Sequence, residues 1–288
     1  MATGSNIRTF FEGNWHSENK YVMRAADHGS WLGTNVFDGA RYLDGVAPDL
    51  KAHCERVNRS AEAMMISPTK SADDMVQIIL DGLQKFRSNE AVYIRPMYWA
   101  IDGDDLAIVP KFGKTGFAIC LEELPMARPD AAATLTTTRF RRPVLEDNVV
   151  NAKAGCLYPN NARMLAEARS KGCTNALVAD VMGNVAETAT ANIFIVRDGE
   201  VFTPIPNGTF LAGITRARHI SNLRNDGYKI NETVISFQDV HDADEVFMSG
   251  NMMKVTPIKR FDETNYQIGP ITKKVRSLYW DWAHSGET

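Results

Sequence analysis

Residues 151–194 read NAKAGCLYPNNARMLAEARSKGCTNALVADVMGNVAETATANIF, and the rest of the chain is understood from them. The stretch opens on Lys153, set among Ala152, Ala154 and Gly155 with no charged neighbour to keep it in water. A lysine that can be desolvated has a lowered pKa and becomes a usable amine nucleophile. Tyr158 follows, then a helix, NNARMLAEARSKG, with Gly172 as its C-cap. A strand, NALVAD, and a turn, VMGN, lead to a lone carboxylate, Glu187, ahead of a second strand. The neighbours of Glu187 in AETATANIF are small, apolar or uncharged, and a carboxylate entering a packed region needs a cationic partner. Composition alone makes neither residue functional.

Toward the C terminus, NIFIVRDGEVFTP reads as two strands folded at Asp198-Gly199. GITRARHISNLRNDG reads as a helix with Gly213, Ile214 and Thr215 in its first turn. Free N–H groups, the positive dipole end and a hydroxyl suit an anion there. Strand DEVFMSG runs into SGN at 249–251, where glycine allows close approach to a ligand. GPITKKVRSLYWDWA closes the chain as an amphipathic helix.

Toward the N terminus, ATLTTTRF reads as a strand. The two prolines of LEELPMARPDAA mark a linker at 124–133, between a first domain at 1–123 and a second at 134–288 that carries Lys153. The first domain opens with an FFEGNW hairpin and glycine-marked bends. Asp49 caps a helix through Met64, and Ser71 opens another with Asp74 completing a capping box. In the strand AVYIRPMYWAI, Arg95 is either a core-edge ion pair or an anion binder. Arg56 is either a solvated helix arginine or a bidentate grip on phosphate. Strands and helices alternate without a regular βαβ repeat, so the fold class is α+β.

The 288 residues leave room for two domains, and 44% hydrophobic with 23% charged residues describes a globular protein. A formal charge of −3 gives no reason to expect nucleic acid or an anionic membrane as partner. The start shows no secretory signal and no apolar run has membrane-spanning length, so a cytoplasmic location is expected. Cys54, Cys120, Cys156 and Cys173 form no CxxC pair and no Cys/His spacing, so reduced thiols and no metal site are expected.

The words VFDGAR, HCERVNRSAEAM, YIRP, NAKAGCLYPNNA, NVAETATANIF, LAGITR and ADEVFMSG occur in this order across nearly the whole chain. Together they resemble the branched-chain aminotransferases, within the fold-type IV pyridoxal-phosphate enzymes. The resemblance implies a small N-terminal α/β domain, a larger C-terminal α+β domain and a homodimer. It implies that Lys153 forms a Schiff base with pyridoxal 5′-phosphate and moves a proton during transamination. Tyr158 would bind the cofactor's phenolic oxygen, and Glu187 would keep its ring nitrogen protonated, as an electron sink requires. Arg56, Gly213, Ile214, Thr215, Ser249, Gly250 and Asn251 would surround the phosphate, with Leu211 against the ring. Phe37, Arg41, Tyr93 and Arg95 would line the substrate pocket, and Asn251 and Met252 would hold the substrate carboxylate.

Three departures fall where substrate is read. The family's SGTAAEVTP is here SGNMMKVTP, from Ser249 to Pro257. Leu32 stands where a tyrosine is usual, and AIDGDDLAIVPKFGK replaces a glycine-rich loop. The leading expectation is a ping-pong transaminase passing an amino group from a branched-chain or related aliphatic amino acid to 2-oxoglutarate. A transaminase for (R)-amines or D-amino acids, an aminodeoxychorismate lyase and a non-catalytic relative stay open beside it.

Overall fold

The computed structural model describes residues 4–286, which fall into two compact units. The first takes the described residues up to Met126 together with Asn151–Leu157. The second takes Ala127–Val150 and the residues from Tyr158 onward. The linear reading gave everything beyond 134 to the second domain, whereas the structure returns the Lys153 segment to the first unit. Pairing explains the return: Ala154 bridges Val36, and the Phe37 N–H donates to the Lys153 carbonyl at 3.1 Å. Residues 1–3 and 287–288, the outer ends of the two expected domains, lie outside the described residues.

The first unit is built on an antiparallel sheet. Its strands are β1 (Ser5–Phe11), β2 (Asn14–His16), β3 (Asn35–Phe37), β4 (Ala40–Tyr42), β5 (Val92–Ala100) and β6 (Thr115–Glu123), in the order β2-β1-β6-β5-β3, with β4 also on β5. Pro96 sits within β5, although proline cannot donate to a ladder. The facing strands β3 and β4 part opposite it without a change of register: Phe37 pairs with Met97 and Ala40 with Ile94, and between them the Asp38 N–H donates to the Pro96 carbonyl at 3.0 Å. Gly39 is required there, because an added Cβ would come within 2.1 Å of the Tyr93 hydroxyl.

Three helices accompany this sheet: α1 (His28–Trp31), which the sequence reading missed, α2 (Leu50–Ala63) and α3 (Ala72–Leu83). The expected Ser71–Asp74 capping box at α3 is present in both directions. Asp49 does occupy the N-cap of α2, but with φ 56° and ψ 24° its side chain makes no cap hydrogen bond. One face of α2 buries Leu50, Cys54, Val57 and Ala61, as the helical period predicts. Beside it runs a second buried stripe of His53, Arg56 and Ser60, polar residues at helical spacing.

The second unit carries a mixed sheet of β7 (Ala133–Arg141), β8 (Asn175–Ala179), β9 (Val185–Thr188), β10 (Asn192–Arg197), β11 (Glu200–Pro204), β12 (Ile230–Thr233), β13 (Glu245–Gly250), β14 (Lys254–Phe261) and β15 (Thr264–Asn265). The order is β12-β11-β10-β13-β14-β7-β8-β9, with β15 on β14. Its helices are α4 (Tyr158–Ser170), α5 (Ile214–Asn225), α6 (Phe237–His241) and α7 (Pro270–His284). Glu187, expected after the turn and ahead of the next strand, lies inside a strand of its own, β9. One sheet-centred cluster gathers Leu135, Leu177, Ile193, Val246 and Phe261. Another, with Phe194, Phe247, Leu223 and Val275, seats α5 and α7. Among the described residues no helix is long and apolar enough to cross a membrane, and no His/Cys/Asp/Glu group could hold a metal.

Candidate active site

In the first unit, Lys153 is fixed by its backbone before its side chain does anything. Its N–H donates to the Ser60 hydroxyl at 3.0 Å, and its carbonyl accepts from Phe37. The amine lies 4.9 Å from the Phe37 ring centroid, a cation–π distance. The side chain is half-buried, between the solvated and the sealed extremes.

Arg56 is buried, and its guanidinium donates Nε and Nη2 to both oxygens of Asp38, at 2.6 and 2.8 Å. His53 meets the same carboxylate at 2.7 Å. The solvated-helix reading of Arg56 is therefore ruled out, and Asp38 emerges as a residue the sequence reading did not single out.

Arg95 makes an ion pair with Glu122, a wholly buried carboxylate that also accepts the Gly4 N–H. Of its two sequence readings, the core-edge ion pair is what the structure holds. Arg41 is completely buried and donates to the Leu124 carbonyl at 2.6 Å. Burial pulls its pKa down to about 10, against the opposing pull of Tyr93 and Glu122. Both guanidiniums stand over the ring of Tyr93, at 5.9 Å for Arg41 and 5.1 Å for Arg95. Phe37 is half-buried, and Leu32 is exposed.

In the second unit, Glu187 is buried and held on both oxygens. Nε of Arg142 lies 3.0 Å from Oε1, an ion-pair distance, though not aligned as a hydrogen bond. Asn192 donates to Oε2 at 3.2 Å. Arg142 is anchored by Asn161 Oδ1 at 2.6 Å and by the carbonyls of Thr188 and Ala189. The cationic partner that Glu187 needed is thus Arg142, from the FRRP word. The only advance signal was an arginine beside a proline.

Asn192 also donates to the Leu211 carbonyl at 3.1 Å, tying that residue to the β9–β10 end of the sheet. Gly213, the N-cap of α5, packs so closely on Asn192 that an added Cβ would stand 2.1 Å from its Oδ1. Ile214 and the buried Thr215 then open the helix, so backbone donors and a hydroxyl gather at one end. Ser249 and Gly250 end β13, with Asn251 just beyond. The Ser249 hydroxyl and the Asn251 amide nitrogen are buried and have no hydrogen-bond partner among the described residues. Met252 is exposed, and Tyr158 is the half-buried first residue of α4.

The structure thus gathers the predicted residues into two sets. Lys153, Phe37, Arg41, Arg56, Tyr93 and Arg95 belong to the first unit, and the Glu187, GIT and SGN groups to the second.

Residues 35–261 match the family described as amino-transferase class IV. An aminotransferase from Brucella abortus, whose crystal structure holds the cofactor PLP, is 54% identical with a TM-score of 0.95, covering 97% of this chain and 99% of that one. A branched-chain aminotransferase from the archaeon Thermoproteus uzoniensis, solved with norvaline, is 26% identical with a TM-score of 0.88, covering 97% and 95%. The branched-chain-amino-acid aminotransferase of Pseudomonas aeruginosa is 30% identical over 289 residues, covering 95% of this chain and 91% of its own. On the family match and on these near full-length relatives, the chain belongs to the class IV aminotransferases.

Proposed function

We propose that this protein is a pyridoxal-phosphate-dependent transaminase that takes its amino group from a branched-chain or related aliphatic L-amino acid and passes it to 2-oxoglutarate in a ping-pong cycle. The observation that carries the reading is the pair of buried, unpartnered polar atoms on Ser249 and Asn251, flanking Gly250. Buried donors are ordinarily satisfied, so such a pair has hydrogen-bonding capacity to offer a ligand's oxygens. The α5 N-terminus at Gly213–Thr215 is the kind of element that binds phosphate. The half-buried Lys153 amine in the first unit and the buried Glu187 carboxylate in the second are groups of the kinds the cofactor needs.

When bound, the cofactor supplies an aldehyde and a protonated ring that draws electrons from the substrate Cα. Lys153 would hold the cofactor through its amine and, when that amine is free, would serve as the base that takes the substrate Cα proton. Glu187 keeps a proton on the ring nitrogen, and Arg142 and Asn192 keep Glu187 in one orientation. Tyr158 donates to the ring oxygen. Gly213, Ile214, Thr215, Ser249, Gly250 and Asn251 would hold the phosphate; a part for Arg56 rests on the resemblance alone, because its Nε and Nη2 are spent on Asp38. Leu211 would lie against the ring, while Phe37, Tyr93, Arg95, Leu32 and Met252 would meet the substrate; Arg41, wholly buried, would act from behind the Tyr93 ring.

A second reading, transamination of D-amino acids or (R)-amines, is favoured by one observation. Arg95, the natural group for a second substrate carboxylate, already has its charge met by Glu122. The location proposed is the cytoplasm, and the assembly proposed is a homodimer. The loop from Ile101 to Gly113 supports the dimer. Asp104 accepts the N–H groups of Leu106, Ile108 and Val109, so the loop is ordered while leaving Leu106 81% and Phe112 90% exposed. An ordered display of large apolar side chains suits a protein partner.

The test is a donor panel. Purified protein with pyridoxal phosphate is mixed with L-leucine, D-alanine or (R)-1-phenylethylamine, and loss of its visible absorbance and glutamate formation from 2-oxoglutarate are followed. L-Leucine should react fastest, and Lys153→Ala should abolish both signals. A protein that stays colourless with the cofactor overturns the proposal. Preferential reaction with D-alanine or the amine moves the assignment to the second reading.

A further inference from the structure

Lys254 stands where the resembling family's word carries glutamate, SGNMMKVTP against SGTAAEVTP. The lysine is almost sealed from solvent, at 1% exposure, and is among the largest fully buried side chains of the described residues. Its backbone has φ 62°, the left-handed region, at the hairpin corner where Gly250 pairs with Lys254 and Ser249 with Val255. A buried ammonium in such a position needs compensating contacts. Its Nζ donates to Oδ1 of Asn251 and lies 5.2 Å from the Tyr279 ring centroid. Its carbonyl meets Nε2 of His219 at 3.1 Å.

The consequence falls on Asn251. An ammonium has three donors and no acceptor, so the amide atom facing it must be the oxygen. The amide nitrogen is thereby turned the other way, and it is that nitrogen which is buried without a partner among the described residues, as is the Ser249 hydroxyl. A glutamate at position 254 would accept rather than donate, and would draw the nitrogen toward itself. The positive charge also polarises the amide through the shared hydrogen bond.

We propose that Lys254 is a positioning residue that fixes the Asn251 amide as a hydrogen-bond donor to a phosphate monoester held beside Ser249 and Gly250. The inference rests on the proposed use of this cup for the cofactor's phosphate. A substrate carboxylate is the other oxyanion with the right chemistry, and the experiment separates the two.

Dissociation constants for pyridoxal phosphate and for unphosphorylated pyridoxal are measured by absorbance titration on wild type, Lys254→Met, Lys254→Arg, Asn251→Ala and the Lys254→Met/Asn251→Ala double variant. Losing a charge-assisted hydrogen bond should weaken pyridoxal phosphate about tenfold or more in Lys254→Met while pyridoxal changes less than about twofold. Lys254→Arg should recover most of the loss. The double variant should be no weaker than the worse single one, as expected of residues acting through one contact. A purely structural lysine would weaken both ligands alike, and that result overturns the proposal, as does an unchanged ratio. If Lys254→Met does not fold, Asn251→Ala must by itself shift the phosphate preference, and its failure to do so is equally fatal. Unchanged pyridoxal phosphate binding, with a raised KM for L-leucine but not for isoamylamine, assigns the amide to the substrate carboxylate and overturns the phosphate assignment. Wild type that binds no pyridoxal phosphate sinks the functional reading as well, whereas tight wild-type binding with an unmoved ratio sinks this inference alone.

Discussion

Asp38 and Arg56 form a two-point ion pair, with Nε on Oδ2 at 2.6 Å and Nη2 on Oδ1 at 2.8 Å, and the carboxylate has no solvent exposure. Burial works against the negative charge, but Arg56 and His53 outweigh it and hold the Asp38 carboxyl well below the usual carboxylate range. A depressed folded pKa adds stability above the unfolded value of roughly 3.9, and that stability is lost only as pH falls through the folded one. Asp38→Asn should cost about 3–5 kcal/mol at neutral pH, because it leaves a buried guanidinium uncompensated. Urea denaturation at several pH values checks this. The gap to wild type should persist at pH 5 and close only in stronger acid; a gap that closes near pH 6 would point to another group.

Arg142 should matter to catalysis without touching substrate. Its Nε lies 3.0 Å from Glu187, and its other nitrogens are spent on Asn161, Thr188 and Ala189. Glu187→Gln should lower kcat by about 100-fold or more, the scale of a lost proton-holding group. Arg142→Met should reproduce part of that loss and also shift the absorbance of the pyridoxal-phosphate-loaded protein. An Arg142→Met enzyme with wild-type kcat and spectrum would dismiss the positioning role.

On the proposed reading, Glu122, which is ion-paired with Arg95, would compete with an acceptor carboxylate for that guanidinium. Removing its charge in Glu122→Gln should free the guanidinium and lower the KM for 2-oxoglutarate by about tenfold, the worth of one charge-assisted contact. The KM for pyruvate, which lacks the second carboxylate, should hardly move. Steady-state kinetics with the two acceptors give the comparison, and equal changes in both would place Arg95 outside acceptor recognition.

Leu106→Glu/Phe112→Glu should shift the proposed dimer toward monomer, since buried glutamates at a contact are costly. Sedimentation velocity reads this directly. Asp104→Ala, which removes the carboxylate ordering the loop, should weaken association less, by a few-fold. A double variant that sediments as the wild type does would remove this loop from the interface.

Much of this architecture was legible in advance, for reasons of range. The Ser71–Asp74 box, the Asp198-Gly199 turn and the apolar stripe of α2 are set by residues within a few positions of one another. Asp49 misled because its backbone entered the left-handed region, which no composition rule announces. Glu187 was misplaced by a few residues because VAET is short and lacks alternation, so its strand depends on pairing with β8. Arg142 and Asp38 were invisible as partners because each meets its counterpart across a fold rather than along a chain. The assignment of Lys153 to the first unit was hidden for the same cause: its pairing with Val36 and Phe37 joins segments far apart in sequence.

That stitching of Asn151–Leu157 onto the β3 edge constrains how the protein can be made and cut. No contiguous fragment can be both the first unit and only the first unit, because Ala127–Val150 intervenes before the chain comes back. During synthesis the Lys153 segment therefore follows a portion of the other unit, Ala127–Val150. A protease nick in that intervening stretch would leave every chemical group intact while loosening the covalent tether that delivers one of them.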